Sequence, residues 1–451
     1  MAKKKQIELT IEEKLQNALV PKEEQPYKIP NNWCWVRLDF LLKEICNGTT
    51  IKQNKEGKTA RVTRIESLQN NTIDFNRIGN IVNESLIKDK DWYIEGDIIV
   101  SHINSIEHVG KSAVITRDML PLVHGMNLLR LRLNNICNSQ FFQLYTRTTD
   151  YKKSIVNRVN RAVNQVSINQ KQLCSLEIPI TNLKEQQRIV NRIESLFVKL
   201  DRAKELIENT LAQFEQNKMA ILHKAFTGEL TAKWRKENNI DLSSWKKYEL
   251  KEVFKVVKDK YNPQIENQIV NYIGLENIET SKGIINKNNS SEVKSIKTKF
   301  RKDDVLYGKL RPYLNKHDVV NFDGICSTDI LVFRFDNINT AKYINYYFNL
   351  PMFIQYAVEN SSGINLPRVS EKTISKYKIS LPILEEQQEI VNILDKLLAK
   401  YNKIKNLEQQ LEKIELLKKA ILAKAFRGEL GTNNPDEESA ENLLKEILAE
   451  K

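Results

Sequence analysis

Four stretches of this sequence carry side chains able to read a polar surface by hydrogen bonding. Arg158-Val-Asn160-Arg161-Ala-Val-Asn164-Gln165 packs guanidiniums and amides closely together. Tyr307, Lys309, Arg311, Tyr313, Asn315 and Lys316 interleave aromatic and basic groups around Pro312, which stiffens the loop. Asn365 and Arg368 close the run Asn360-Ser-Ser-Gly363-Ile-Asn365-Leu-Pro367-Arg368. Thr49, Thr50 and Lys52, then Lys58, Arg61, Thr63 and Arg64, set a glycine and hydroxyls before a basic strand. Guanidinium and amide groups match the donor and acceptor pattern of base edges, while lysines and hydroxyls suit phosphates. This is the chemistry of nucleic-acid recognition, and it makes or breaks no bond.

Bond-making motifs are missing. An amino-methyltransferase holds its target amine on a short [DNS]-P-P-[YFW] turn, and the sequence contains none. Gly110-Lys111-Ser112 and Gly57-Lys58-Thr59 end like phosphate-binding loops. The first glycine of that motif would fall at Ser105 and Lys52, so neither can make the tight turn. Five scattered cysteines without C-x-x-C and five histidines without H-E-x-x-H suggest no disulfide scaffold and no metal. Lys plus Arg total 70 against 57 Asp plus Glu, a net charge of +13 that favours a polyanionic partner. No apolar run is long enough to span a membrane. No apolar segment follows the basic start MAKKKQIELTIEEK, so a cytoplasmic protein is expected.

The elements that must position these residues occur twice. Glu185-Gln186-Gln187-x-Ile-Val recurs as Glu386-Gln387-Gln388-x-Ile-Val, and Ala-Phe-x-Gly-Glu-Leu ends both segments, at Leu230 and Leu430. Upstream, Trp33-x-x-x-x-Leu38 matches Trp245-x-x-x-x-Leu250, Gln165-Val-Ser167 matches Arg368-Val-Ser370, and Arg132 matches Arg334. Each unit is therefore a diverged block followed by a similar long helix.

In the first helix Ile193, Leu196, Leu200, Ala203, Ile207, Thr210, Phe214, Asn217 and Ile221 alternate steps of three and four, a heptad seam. In the second, Ile390, Leu394, Leu397, Tyr401 and Ile404 begin a seam that Leu407, Leu411, Ile414 and Ile421 continue after a phase slip. A rod of roughly 60 Å is too long for one small domain to cover. The blocks read as α+β, with Leu129, Leu131 and Leu133 alternating with Arg130 and Arg132 as on a half-buried strand. The expected division is an N-terminal helical segment (1–29), a first block (30–182), a helix (183–230), a polar linker (231–243), a second block (244–383), a helix (384–430) and a tail with a short helix (431–451). The first residues of each long helix, Glu185, Gln186 and Gln187 with Glu386, Gln387 and Gln388, recur off the seam. They are expected to face outward as a partner surface.

With these motifs in place, the whole chain resembles the specificity subunits of type I restriction–modification systems. Its second block also shows Leu306-Tyr-Gly-Lys-Leu-Arg-Pro-Tyr313 and Ser327-Thr-Asp-Ile330, familiar from target recognition domains of that family. The resemblance implies two α/β target recognition domains, separated by two long antiparallel coiled-coil helices in a pseudo-two-fold repeat. Each domain would read one half of a split site in double-stranded DNA. Two methyltransferase subunits would dock on the helices, and restriction/translocase subunits would join them. S-adenosylmethionine, ATP and Mg would belong to those partners, with no cofactor in this chain. Half-sites about one duplex turn apart, roughly 34 Å, are expected. The competing reading is a two-domain nucleic-acid-binding adaptor with a structural coiled coil, unrelated to methylation.

Overall fold

The computed structural model describes residues 10–54, 60–163, 165–266, 268–280, 282–404 and 406–450. Its contacts divide into two units, one comprising the chain up to Glu205 together with Gln410 onward, the other Leu206–Gln409. Each unit holds one α+β block, the start of one long helix and the end of the other.

In the first unit, a four-stranded antiparallel sheet runs in the order Ser112–Val114, Ile98–Ser101, Leu128–Leu133, Leu42–Asn47. Leu131 lies between Ile98 and Ile45 on the neighbouring strands. The helices Ser139–Thr146 and Thr149–Val156 bury Phe141, Tyr145, Tyr151 and Ile155 behind it. A separate strand pair ties the block shut, Cys34–Arg37 antiparallel to Glu177–Ile180.

The second unit repeats the plan. Lys255–Val256, Ile330–Arg334, Val305–Gly308 and His317–Val319 form one sheet, backed by helices Ile338–Tyr347 and Pro351–Glu359. Pro351 sits at the start of the second helix, where its missing N–H costs nothing. Lys246–Glu249 pairs with Lys378–Leu381 and closes the block as in the first unit.

The strand Leu128–Leu133 forms as expected, but Arg130 does not face solvent. It is 1% exposed and donates to the carbonyls of Lys90 and Trp92 and to Glu44. Its neighbour Arg132 grips buried Asp97 with two hydrogen bonds of 2.8 and 2.9 Å. Arg334, the matching residue, grips buried Asp304 at 2.8 and 2.7 Å. The repeat thus extends to a forked ion pair, which holds the aspartate where two parallel N–H groups meet two oxygens.

Leu183–Phe226 is one continuous helix. The second long segment is helical over Leu384–Ile404 and Asn406–Phe426, and the expected phase slip between Ile404 and Leu407 includes Lys405, which lies outside the described residues. In the first unit the two segments run antiparallel, with Asp201 bonded to Lys418 at 2.5 Å and Lys204 to Glu415 at 3.0 Å. In the first helix the seam positions from Ile193 to Phe214 are buried or half-buried. Asn217 is exposed, and burial passes to Leu222 and Ala225, which pack with Ile390, Val391 and Leu394 in the second unit. The repeated Ala-Phe ends have matching roles. Phe426 packs on Phe141 and Tyr145 of the first block, and Phe226 on Tyr343 and Tyr347 of the second.

The linker and tail are packed elements. Ala232–Glu237 is helical and buries Arg235. The tail helix Ala440–Glu450 packs on the N-terminal helix Ile11–Ala18 through Leu444, Leu448, Leu15 and Ala18, with Lys14 Nζ donating to the Leu448 carbonyl. Among the described residues no helix is long and apolar enough to cross a membrane.

Candidate nucleic-acid interface

A cleft of about 790 Å³ opens in the first block between Thr50, Lys52, Arg64, Arg77, Asn104 and Lys111. Its near wall depends on a close backbone approach. Thr49 N–H donates to the His124 carbonyl at 2.8 Å, and a Cβ on Gly48 would lie 1.8 Å from the Gly125 oxygen. Only glycine lets the Thr49–Lys52 segment lie there. Thr50 and Lys52 are exposed, and Arg64 is partly held by Glu66 at 2.9 Å. Arg77, Asn104 and Lys111 were not singled out by sequence reasoning. They come from separate segments, and Lys111 had shown itself only as part of a failed phosphate-loop motif.

Beside this cleft stands an exposed hairpin. Asn160–Arg161 pairs with Val166–Ser167, which pairs in turn with Ile103–Asn104. Arg161 and Gln165 are exposed on it. Lys58 and Asn164 lie outside the described residues.

Three side chains expected at the interface are engaged by the protein itself. Thr63 is wholly buried, bonded to Tyr93 Oη at 3.2 Å and accepting from Gly125 N–H at 2.9 Å. Arg61 donates to the carbonyls of Met119 and Pro121 and lies 4.9 Å over the Phe75 ring. Arg158 bonds Glu177, which also binds Arg37 at 2.9 Å. Glu177 is a buried carboxylate needing positive partners, so Arg158 clamps the closing strand pair.

In the second block the structure joins two stretches that are some fifty residues apart in sequence. Arg311 N–H donates to the Pro367 carbonyl at 2.7 Å, and Val369 N–H to the Lys309 carbonyl at 2.9 Å. Beneath them the Asp329 carbonyl receives Lys309 N–H at 2.9 Å, and the Asp329 carboxylate pairs with Arg368 Nε at 3.3 Å and Lys309 Nζ at 4.0 Å. Arg311 adopts a left-handed backbone (φ 53°), unfavourable for a side-chain-bearing residue and held by these bonds. Arg311, Tyr313, Asn365 and Arg368 are all exposed on the resulting surface.

Here too some expected readers prove internal. Tyr307 is fully buried, in ring contact with Phe348 and Phe353, because the alternation of its strand points it at the helices. Asn315 is buried and donates to the Phe348 carbonyl at 3.0 Å. Lys316 reaches back to the Leu275 carbonyl at 2.7 Å.

The expected partner surface at the helix starts needs correcting. Glu185 and Gln186 are 0% exposed, as is Glu386, and Gln387 is 4% exposed. Glu185 receives Trp33 Nε1 at 3.2 Å and the Thr181 hydroxyl at 3.1 Å. Gln186 donates to the carbonyls of Ile136 and Thr181 and accepts Asn138 N–H. Glu386 receives Trp245, Arg235 and the Thr231 hydroxyl. Gln387 bridges the Pro382 carbonyl and the Thr340 hydroxyl. The motif recurs because each block needs the same buried knot to attach its helix. Gln187 remains exposed and Gln388 half-exposed, each bonded to an asparagine one turn on.

Burial also sets the protonation of several titratable groups. Burial pushes the Cys34 and Cys326 thiols up to about 12, away from thiolate chemistry. Burial also lowers His124 and His317 to about 4, so both rings are neutral near pH 7. Among the described residues no three His, Cys, Asp or Glu side chains gather as a metal site requires.

Comparison with known proteins gives a consistent result. The family described as the type I restriction modification DNA specificity domain matches twice, at residues 31–215 and 243–416. A protein of Methanocaldococcus jannaschii named as the MjaX type I restriction enzyme specificity subunit is 30% identical over 418 residues, covering 89% of this chain and 95% of that protein. The EcoDI specificity subunit of Escherichia coli is 28% identical over 314 residues, covering 62% of this chain and 70% of its own. The HsdS subunit of Thermoanaerobacter tengcongensis shares the fold with a TM-score of 0.55 at 18% identity, covering 90% of this chain and 99% of that one. A chain from a structure concerned with assembly and conformational transition of the type I R-M system reaches 0.63 at 18% identity, covering 90% and 100%.

Proposed function

Because the chain belongs to the type I restriction modification DNA specificity family, we propose that it is the subunit that selects DNA sequence for a methyltransferase and restriction complex. The observation that carries this reading is the doubled surface. Each block exposes its own set of basic and amide side chains beside the repeated Val-Ser pair, Arg161 and Gln165 in one and Asn365 and Arg368 in the other. The two sets differ, so each reads a different half of a bipartite duplex site. Lysines such as Lys52 and Lys111 hold phosphates, and the arginines and amides reach base edges.

The chain itself performs no catalysis in this reading. S-adenosylmethionine, ATP and Mg act on partner subunits, in the cytoplasm. Two methyltransferase subunits dock on the long helices, and restriction/translocase subunits join them. Since the Glu-Gln-Gln starts are buried, docking falls on outward helix positions such as Gln187, Val198, Leu416 and Leu417, which are exposed. The relatives reported above do not favour an adaptor unrelated to methylation.

The test is reconstitution of the full chain with its methyltransferase partner, followed by base-resolution mapping of methylated DNA. One split motif is expected, and exchanging the second block for that of a relative should change one half only. Methylation without sequence preference, or a motif indifferent to the exchange, would overturn the reading.

A further inference from the structure

We propose that Val163 and Ile364 are specificity-determining residues, each contacting the C5 methyl of one thymine in its half-site. The inference rests on the DNA-reading function proposed above and assigns one contact within it.

Ile364 is 101% exposed and Val163 is 99% exposed, so no part of the protein covers either side chain. Single exposed aliphatic residues are ordinary. Each lies shortly before the repeated Val-Ser pair of its own block, Val163 three residues before Val166 and Ile364 five before Val369. Both sit at the tip of a loop closed by backbone bonds. Ser362 and Arg368 exchange two, at 2.9 and 2.8 Å, and Gly363 (φ 104°) turns the chain immediately before Ile364. Ala162 N–H bonds the Gln165 carbonyl at 2.9 Å beneath Val163. Backbone bonds thus close the base of each loop.

The surroundings decide the occupant. Arg161 is exposed two residues before Val163, and Arg368 and Arg311 are exposed at the base of the Ile364 loop. An apolar protein partner would have to desolvate these charges, whereas a polyanion would bind them. On a DNA duplex the apolar group at a base edge is the thymine methyl, and only the major groove presents it. A β-branched aliphatic has few rotamers to lose on meeting it. Cations on the phosphates with an aliphatic tip on a methyl suit one loop entering that groove.

The measurement uses the complete chain assembled with its methyltransferase partner and the duplex found by methylation mapping. Thymines are replaced singly by deoxyuridine, which removes only the methyl. One position in each half-site should weaken binding about fourfold, the worth of one buried methyl-sized group. Ile364→Ala should abolish this sensitivity in one half-site alone, and Val163→Ala in the other. Both variants should retain the parent melting temperature, since neither side chain packs against the fold. Tolerance of deoxyuridine everywhere, a half-site without thymine, or equal weakening on thymine and uracil duplexes would overturn the proposal while leaving the specificity function standing. A complex with no preferred site would remove both.

Discussion

The indole of Trp245 donates to Glu386 Oε2 at 2.9 Å, and Trp33 makes the same bond to Glu185 at 3.2 Å in the other copy. A tryptophan at the start of each block thus finds a carboxylate at the start of the helix that ends it. Arg235 Nη1 adds an ion pair to Glu386 at 2.5 Å, with both side chains nearly inaccessible.

Removing Glu386 should therefore unfold rather than undock. Glu386→Ala leaves the Arg235 guanidinium buried without its carboxylate, which costs about 3–5 kcal/mol. Urea unfolding of the full chain, followed by hydrogen exchange in the 384–404 helix, measures it. Unchanged stability together with lost methyltransferase assembly would restore these residues as a docking surface.

The forked pairs give a second prediction. Lysine keeps the charge at position 334 but cannot supply two parallel donors to Asp304. Arg334→Lys should cost about 1–3 kcal/mol, the order of a charged hydrogen bond at a buried acceptor. Arg132→Lys should do the same to the first block through Asp97. Block-resolved exchange, with one variant loosening only strand Ile330–Arg334 and the other only Leu128–Leu133, is the expected outcome. Loosening of both blocks by either variant would contradict it.

Acid should loosen the second block through His317. Its Nδ1 lies 2.7 Å from Asn345 Oδ1 and its Nε2 is 3.1 Å from Asn315 Nδ2, contacts both satisfied by the neutral Nδ1–H tautomer. Burial lowers its folded pKa to about 4 from an ordinary 6.5. Between these values the unfolded chain binds a proton that the native chain does not. The stabilisation is complete above about pH 6.5 and is lost as pH falls toward 4. Exchange rates in strand His317–Val319 at pH 7.5 and 5, corrected for intrinsic rate, should show it, and His317→Gln should flatten the dependence. A parent protein equally protected at both values would refute the assignment.

Asp329 restrains the reading loops of the second block. Asp329→Asn releases Arg368 and Lys309 from their counter-charge. Binding to random duplex should tighten and its salt slope steepen by about one to two, while discrimination at one half-site falls. Arg311→Ala and Arg368→Ala should each relax that same half-site, costing about 1–3 kcal/mol. Arg161→Ala should act on the other, whereas Lys111→Ala should weaken binding to all duplexes alike and lower the salt slope by about one. Tyr307→Phe should leave base preference unaltered. Titrations over a range of salt concentrations, with mapped methylation, separate these effects. A Tyr307→Phe variant with altered specificity would contradict its place in the core.

Much of the architecture was legible in the sequence because it is periodic or repeated. Heptad spacing predicts the long helices, duplicated Trp, Glu-Gln-Gln and Ala-Phe motifs predict two matching units, and alternation predicts the strand at Leu128–Leu133. The loops around Arg311 and Arg368 were also marked, since composition and repeat position both point to them. Only the tertiary structure decided which polar residues remain available to a partner. Arg158 and Arg61 look like readers in a local window, yet Glu177 and the carbonyls of Met119 and Pro121 claim them. Glu185 and Glu386 look outward by helical period, yet tryptophans some 150 and 140 residues earlier bury them. The cleft draws Arg64, Arg77, Asn104 and Lys111 from separate segments. The physical reason is the same in each case. A side chain's local period reports the face it occupies, while its free charge depends on which distant group the closed fold brings within hydrogen-bond reach.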